Sequence, residues 1–160
     1  MRRGEVFTLR WKDIDFSNQT LAIHGSNAKS GSTRHLPLNR EALEYLRIWR
    51  TMNTSSHSDA LVFPGKNGAA LTDAKHSWQS ILKLAKIENF RWHDMRHHFA
   101  SRLVMAGVDL NTVRELLGHS DLKMTLRYAH LCPKTKAAAV ATLDTVRKTP
   151  QLQLSIYPVA

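Results

Sequence analysis

The chain has 160 residues, a hydrophobic fraction of 42%, and 23 lysines and arginines against 13 acidic residues. This length supports one domain with a sizeable core, and the hydrophobic fraction excludes a disordered tail. The net charge of +10 favours a polyanionic partner such as a nucleic acid, because basic side chains that neutralise phosphates release condensed counterions. A single cysteine excludes an intramolecular disulfide. No apolar run reaches the roughly 18–20 residues that span a bilayer, so we expect a cytoplasmic protein.

The predicted elements begin with a short helix over residues 4–10 and a turn at 12–15. Two alternating stretches, 20–24 and 34–38, flank the segment GSNAKSGST, a composition typical of a hairpin loop. Residues 40–50 carry apolar side chains at helical spacing after Asn39, which caps helices well. Residues 61–63 form a short strand candidate.

The second half of the chain is predicted to be helical. Helices are expected over residues 73–85, 93–106, 109–118 (or from 111), 120–128 and 133–148. Gly107 and Gly118 stand where two of them should end. Residues 149–160 read as a tail. The prediction is therefore an α+β fold, mostly α-helical with a small antiparallel β-sheet near the N-terminus, in one domain over residues 1–148.

Polar residues concentrate in two segments of this helical half, WHDMRHHFASRL and LLGHSDLKMTLRYAHL. His93 and Arg96 stand three residues apart and so share one face of a helix. Arginine suits phosphate because its planar fork donates paired hydrogen bonds and keeps its charge. By itself, such a pair is more often a solvated helix face.

The second segment is more specific. His119 follows Gly118 at the predicted helix end, and Tyr128 comes nine positions after it. A tyrosine near the end of an amphipathic helix is by default a half-buried core residue. The spacing, the Gly-His turn and the flanking Arg127 and His130 together resemble the signature of the tyrosine recombinase (phage integrase) family.

The resemblance extends to the start of the chain. The segment MRRGEVFTLRWKDID resembles the family's first arginine motif and places that arginine at Arg2. The segment NAKSGSTRHLPLN resembles the family's β-hairpin lysine at Lys29. The resemblance covers about residues 1–147 and is strongest over 89–131. Helices that precede the first arginine in the family, and a separate N-terminal DNA-clamping domain, have no counterpart, so we expect an N-terminally truncated catalytic domain.

The resemblance implies an enzyme, a site-specific recombinase that cuts and rejoins double-stranded DNA without metal, cofactor or ATP. Tyr128 is the implied nucleophile, which forms a 3′-phosphotyrosine and releases a 5′-hydroxyl. The resemblance further implies a homotetramer on DNA for the full-length protein and a nucleoid location in the cytoplasm. The implied catalytic set is Arg2, Lys29, His93, Arg96, His119 and Tyr128.

The other members of this set have separate implied roles. Arg2, Arg96 and His119 hold the non-bridging phosphate oxygens. His93 helps to move the tyrosine proton, and Lys29 protonates the leaving 5′ oxygen.

Two alternatives remain open on sequence alone. The truncated start favours a catalytically impaired DNA-binding remnant of an integrase. The adjacent His93-Asp94 pair and the total of nine histidines suggest a metal-dependent phosphohydrolase, although a second histidine–carboxylate cluster at ligand spacing is missing. Type IB topoisomerases share the chemistry, but the segment around Tyr128 resembles the recombinase version.

Overall fold

Helix α1 (Arg3–Phe7) opens the computed structural model, which describes residues 1–27, 31–53, 57–132 and 136–146. The helix begins where the Glu5 carboxylate accepts the backbone N–H of Arg2 at 2.7 Å. It ends at Phe7 rather than at residue 10, because the chain beyond it is used for extended pairing. Leu9 accepts the backbone N–H of Val62 at 2.8 Å, and Arg10 forms a β-bridge with Leu61. The predicted strand at 61–63 is thus reduced to this bridge.

Three short strands follow and form one antiparallel sheet in the order β1-β2-β3. They are β1 (Ile14–Asp15), β2 (Thr20–Ile23) and β3 (Arg34–Pro37). The sequence predicts β2 and β3 but gives a turn where β1 lies. Strand β1 forms because Ile14 pairs with Leu21, while the Asp15 carboxylate accepts two backbone N–H groups of the following turn at 2.9 Å.

The sheet covers the first of two apolar cores, which we call the sheet core. Its buried members are Leu9, Trp11, Ile14, Leu21, Ile23 and Val62. Helix α2 (Arg40–Met52) packs on it through the partly buried Leu46. As predicted, Asn39 caps α2, with its side chain accepting from the Ala42 N–H at 3.0 Å. Helix α3 (Lys75–Leu84) follows.

The second half contains α4 (Asp94–Met105), α5 (Leu110–Leu117), α6 (Lys123–Leu126) and α7 (Lys136–Val146). Asp109, rather than Asn111, caps α5, accepting the Thr112 N–H at 2.9 Å. The helical core between α4, α5 and the turn after α6 consists of Ala100, Val104, Val113, Leu117 and Tyr128. The prediction of a mostly helical α+β fold with a small antiparallel sheet near the N-terminus is confirmed.

The predicted helix over 120–128 is wrong. The side chain of Asp121 accepts the Lys123 N–H at 2.9 Å at the start of α6. The helix ends at Leu126, and a 3-10 turn over Ala129–Leu131 follows. Tyr128 therefore lies at the break between two short elements, where its side chain can turn into the helical core.

The C-terminal prediction is tested in part. Helix α7 lies inside the predicted range of 133–148, whereas the predicted tail at 149–160 falls outside the described residues. Within the described ranges, no helix is both long and apolar enough to cross a membrane.

Candidate active site

The C-terminal end of α5 gathers two arginines from distant parts of the chain. Arg96 of α4 donates through Nη2 to the Leu117 carbonyl, and Arg2 donates through Nη2 to the Gly118 carbonyl at 3.1 Å. The last carbonyls of a helix have no partner within the helix and form the negative end of its dipole. The end of α5 is therefore a natural anchor for the two guanidinium groups.

Gly118 is required at this end for two reasons. Its backbone is left-handed, with φ at 66°, a conformation that glycine adopts without the strain other residues pay. A Cβ built on Gly118 would also lie 2.6 Å from Cζ of Arg34. The missing side chain makes room for a third arginine.

Glu5 is the carboxylate that holds the arginines in place. It is 3% exposed, and it accepts Arg2 Nη1 at 3.2 Å and Arg34 Nη2 at 2.9 Å. Burial would raise the pKa of Glu5, but hydrogen bonds from Arg34 and from the Arg2 backbone outweigh burial and lower it. The carboxylate is therefore ionised at neutral pH and orients both guanidinium groups.

Three arginines against this one carboxylate leave the pocket positively charged. Burial, followed by the charge of Arg2, lowers the pKa of Arg96 to about 10, so Arg96 is still charged at neutral pH. Nη1 of Arg96 and Nε and Nη1 of Arg34 are buried without a hydrogen-bond partner among the described residues. Buried donors without a partner are costly, and an anion such as phosphate satisfies such donors.

His119 lies in the turn after Gly118 and is 9% exposed. Its Nδ1 is 2.9 Å from the hydroxyl of the buried Thr125. Burial, followed by the charges of Arg96 and Arg2, lowers the pKa of His119 to about 4. The ring is consequently neutral at pH 7 and acts through a hydrogen bond rather than through a charge.

Tyr128 has its ring in the helical core, with 6% of the residue exposed. Its hydroxyl lies 2.6 Å from Nδ1 of His97. Burial raises the pKa of Tyr128, although Arg127 and Arg96 oppose the shift. The hydroxyl is therefore protonated at neutral pH, and it lies within hydrogen-bond distance of a histidine nitrogen.

His93 and Lys29 stand apart from the residues above. His93 is exposed at the start of α4, and its ring lies edge-on against His97 with centroids 4.9 Å apart. His97 in turn contacts the Tyr128 hydroxyl. Lys29 lies outside the described residues.

The structure brings together most of the set chosen from sequence, namely Arg2, Arg96, His119 and Tyr128. It adds side chains to which sequence reasoning gave no role: Glu5, Arg34, His97 and Thr125. A local signal existed for two of them. Glu5 stands three residues after Arg2, the spacing of a reciprocal helix cap, and His97 stands four residues after His93, on the same helix face. Arg34 and Thr125 have no such signal.

The described part of the chain contains no cluster of side chains that could serve as metal ligands. No group of three or more His, Cys, Asp or Glu side chains is placed there to hold an ion. The metal-dependent interpretation of His93-Asp94 thus gains no support from the geometry, in which the Asp94 carboxylate instead binds Arg91 at 2.9 Å.

Comparison with known proteins identifies integrases and tyrosine recombinases as relatives of the chain. Residues 1–135 match the phage integrase family. The integrase of Salmonella phage P22 is 31% identical over 155 residues, which are 91% of this chain and 40% of that protein. Tyrosine recombinase XerC of Alcanivorax borkumensis is 35% identical over 139 residues, covering 82% of this chain and 44% of that protein. The chain thus spans less than half the length of these relatives.

Solved structures share the fold. The catalytic domain of bacteriophage HP1 integrase superposes with a TM-score of 0.64 and 27% identity, over 93% of this chain and 78% of that one. XerH site-specific recombinase bound to difH substrate in a pre-cleavage complex superposes with a TM-score of 0.67 and 26% identity, over 93% of this chain and 44% of that one.

Proposed function

This chain belongs to the phage integrase family, and we propose that it is the catalytic domain of a tyrosine-type site-specific DNA recombinase. In this proposal, residues 1–148 form the domain and cut and rejoin double-stranded DNA through a 3′-phosphotyrosine, with neither metal nor ATP. One observation carries the proposal: Arg2 and Arg96 meet at the end of α5, close to the buried His119 and Tyr128.

The arginines grip the scissile phosphate. Arg2 and Arg96 donate to its non-bridging oxygens, where charge builds up in the transition state. The buried and unpartnered Nη1 of Arg96 supports this role among the described residues. The neutral His119 adds a further donor: when the Thr125 hydroxyl donates to Nδ1, the ring proton resides on Nε2 and is free to bond a phosphate oxygen.

Tyr128 is the nucleophile. Its Oη bonds to phosphorus as the bond from phosphorus to the 5′ oxygen breaks. The leaving oxygen takes a proton, which the family resemblance assigns to Lys29, and His93 helps to move the tyrosine proton. Because the covalent bond conserves the energy of the phosphodiester, a 5′-hydroxyl from another duplex can reverse the step.

Partners and location follow from the same proposal. The net charge of +10 suits double-stranded DNA, and relatives of this fold have been solved on their DNA substrates. Exchange between two duplexes requires one nucleophile for each of four strands, so we assign a homotetramer on DNA to the full-length protein. Such a protein works at the nucleoid, in the cytoplasm.

Covalent trapping on DNA tests the proposal. The chain is incubated in EDTA with a nicked duplex taken from the DNA that flanks its gene, and adducts are separated on a denaturing gel. The wild-type chain is expected to form an adduct and Tyr128→Phe to form none. Tyr45→Phe is the matched control, because Tyr45 is 66% exposed on α2 and its loss should leave the adduct unchanged.

The alternative of a DNA-binding remnant is a distinct outcome of the same experiment. DNA binding that weakens with salt, as phosphate contacts require, but yields no adduct would support it and would contradict the proposed function. An adduct that persists in Tyr128→Phe would instead show that another side chain is the nucleophile.

A further inference from the structure

His97 makes the closest contact to the proposed nucleophile. Its Nδ1 lies 2.6 Å from the Tyr128 hydroxyl, and the centroids of the two rings are 6.0 Å apart. The contact joins α4 to the turn after α6, across 31 positions of sequence. A phenol is a strong donor, and a neutral imidazole nitrogen is an acceptor, so the geometry is that of an O–H···N hydrogen bond.

The tyrosine needs a proton acceptor at this position. Burial raises the pKa of Tyr128, so almost none of it is phenolate at neutral pH, and its proton must leave during the attack. The charges of Arg127 and Arg96 lower that pKa in part, but a bound phosphate is itself an anion and would oppose their effect.

His97 is in the right protonation state for this task. Burial lowers its pKa, followed by the charges of His93 and Arg127. Arg91 acts in the same direction, whereas Asp94 raises the pKa. The ring is therefore neutral at pH 7, and with its proton on Nε2, the lone pair of Nδ1 faces the hydroxyl.

We propose that His97 is the general base that takes the phenolic proton of Tyr128 as the tyrosine attacks the phosphate. The step rests on the proposed function and balances as follows. The Oη–H bond breaks, its proton passes to Nδ1 to form an imidazolium, and the oxygen electron pair forms the bond to phosphorus while the bond to the 5′ oxygen breaks. His93, edge-on against His97, acts on the tyrosine through that ring.

A second interpretation of the same contact makes the opposite prediction. If the hydrogen bond held Tyr128 away from DNA in a resting state, its removal would free the nucleophile and speed the attack. If His97 is the base, its removal slows the attack. The sign of the change in rate therefore separates the two.

The test is the single-turnover rate of adduct formation with His97→Gln at saturating DNA. Glutamine keeps a polar side chain but cannot take up the proton, so the rate should fall about 10²- to 10⁴-fold with DNA affinity unchanged. His98→Gln is the matched control, because His98 is the next residue of the same helix and is exposed; its rate should stay within about twofold, inside the effect expected for surface changes.

Three further measurements separate a base from a structural support. The first uses DNA with a sulfur atom in place of the scissile 5′ oxygen, a leaving group that needs no acid. A defect in activating the nucleophile should persist on this substrate. Restoration of the His97→Gln rate on it would overturn the proposal. Because the pKa of His97 is lowered by burial, the wild-type rate should decline only at acid pH, below the ordinary titration range of a histidine, and His97→Gln should lack that decline. Added imidazole should partly restore His97→Ala.

The outcomes distinguish this proposal from the one on which it rests. A wild-type chain that forms no adduct overturns both. An adduct that forms in His97→Gln as fast as in the wild type, or faster, overturns the base role alone and leaves the tyrosine recombinase reaction standing.

Discussion

The two apolar cores of this molecule differ in the kinds of side chain that they contain. The sheet core buries large apolar side chains, among them Trp11, Ile14 and Leu21. The helical core contains small or branched side chains and the ring of Tyr128. Beside it lie buried polar groups that the sheet core largely lacks, namely Arg96, His119 and Thr125.

This difference indicates that the sheet core mainly stabilises the fold, whereas the region beside the helical core provides the reactive groups. Burial of apolar area stabilises the fold in proportion to that area, whereas buried polar groups cost free energy unless they are paired. The helical core is less favourable in this respect, but the buried side chains beside it supply hydrogen-bond donors directed into the active-site pocket. Glu5 of α1 and Arg34 of β3 link the sheet side of the molecule to the active-site pocket. They bond to each other, and the Arg34 guanidinium lies next to Gly118.

The largest effect that separates the two regions is expected from Arg96→Lys. Lysine keeps the charge but loses the planar fork that bonds both the Leu117 carbonyl and an anion. The single-turnover rate of adduct formation should fall about 10²- to 10³-fold. Arg102→Lys, at an exposed position of the same helix, is the control and should leave the rate unchanged.

The converse change belongs to the sheet core. Leu21→Ala should lower the free energy of unfolding by about 2–5 kcal/mol, measured by urea denaturation, with the adduct rate per folded molecule unchanged. If Leu21→Ala instead slowed the reaction of the folded fraction as much as Arg96→Lys does, the division between the two regions would be wrong.

Gly118→Ala should affect both regions, because the end of α5 is where they meet. A Cβ there adds left-handed strain and pushes on the Arg34 guanidinium, and together these should lower the free energy of unfolding by about 2–4 kcal/mol. Gly107→Ala is the matched control: φ of Gly107 is 84°, yet its Cβ would meet nothing within 4 Å. Thermal unfolding of both variants isolates the contact with Arg34, and equal losses would argue against it.

The smallest expected effect is a pH dependence of stability. The pKa of His119 is about 4 in the folded chain and about 6.5 when unfolded, so between these values the unfolded state binds more protons. The free energy of unfolding should then fall as the pH drops from about 6.5 towards 4, by about 1–2 kcal/mol between pH 7 and pH 5.

The control for this effect is His119→Asn, measured by urea denaturation at each pH. Its profile should be flatter than that of the wild type by that amount, because other titrating groups are common to both chains. Identical profiles would show that His119 is not held neutral by its surroundings.

Much of the fold and part of the site could be predicted from the sequence. Strands β2 and β3, helix α2 with its Asn39 cap, and the end of α5 at Gly118 follow from local patterns of side chains. The local sequence pattern predicts a continuous helix over residues 120–128, and this prediction is wrong. There, the hydrogen bond between the Thr125 hydroxyl and His119 and the burial of Tyr128 favour two short elements instead.

The sequence by itself determined the family, because the Gly118-His119 turn and the spacing to Tyr128 are local features of one segment. Tertiary structure alone decided which side chains meet. Arg2 reaches the Gly118 carbonyl across 116 positions, and Arg34 comes to the same point from a strand. It also decided that His97 rather than His93 contacts the Tyr128 hydroxyl. Such choices depend on how α4 and the turn after α6 pack, and the interactions that set this packing act between residues far apart in the chain.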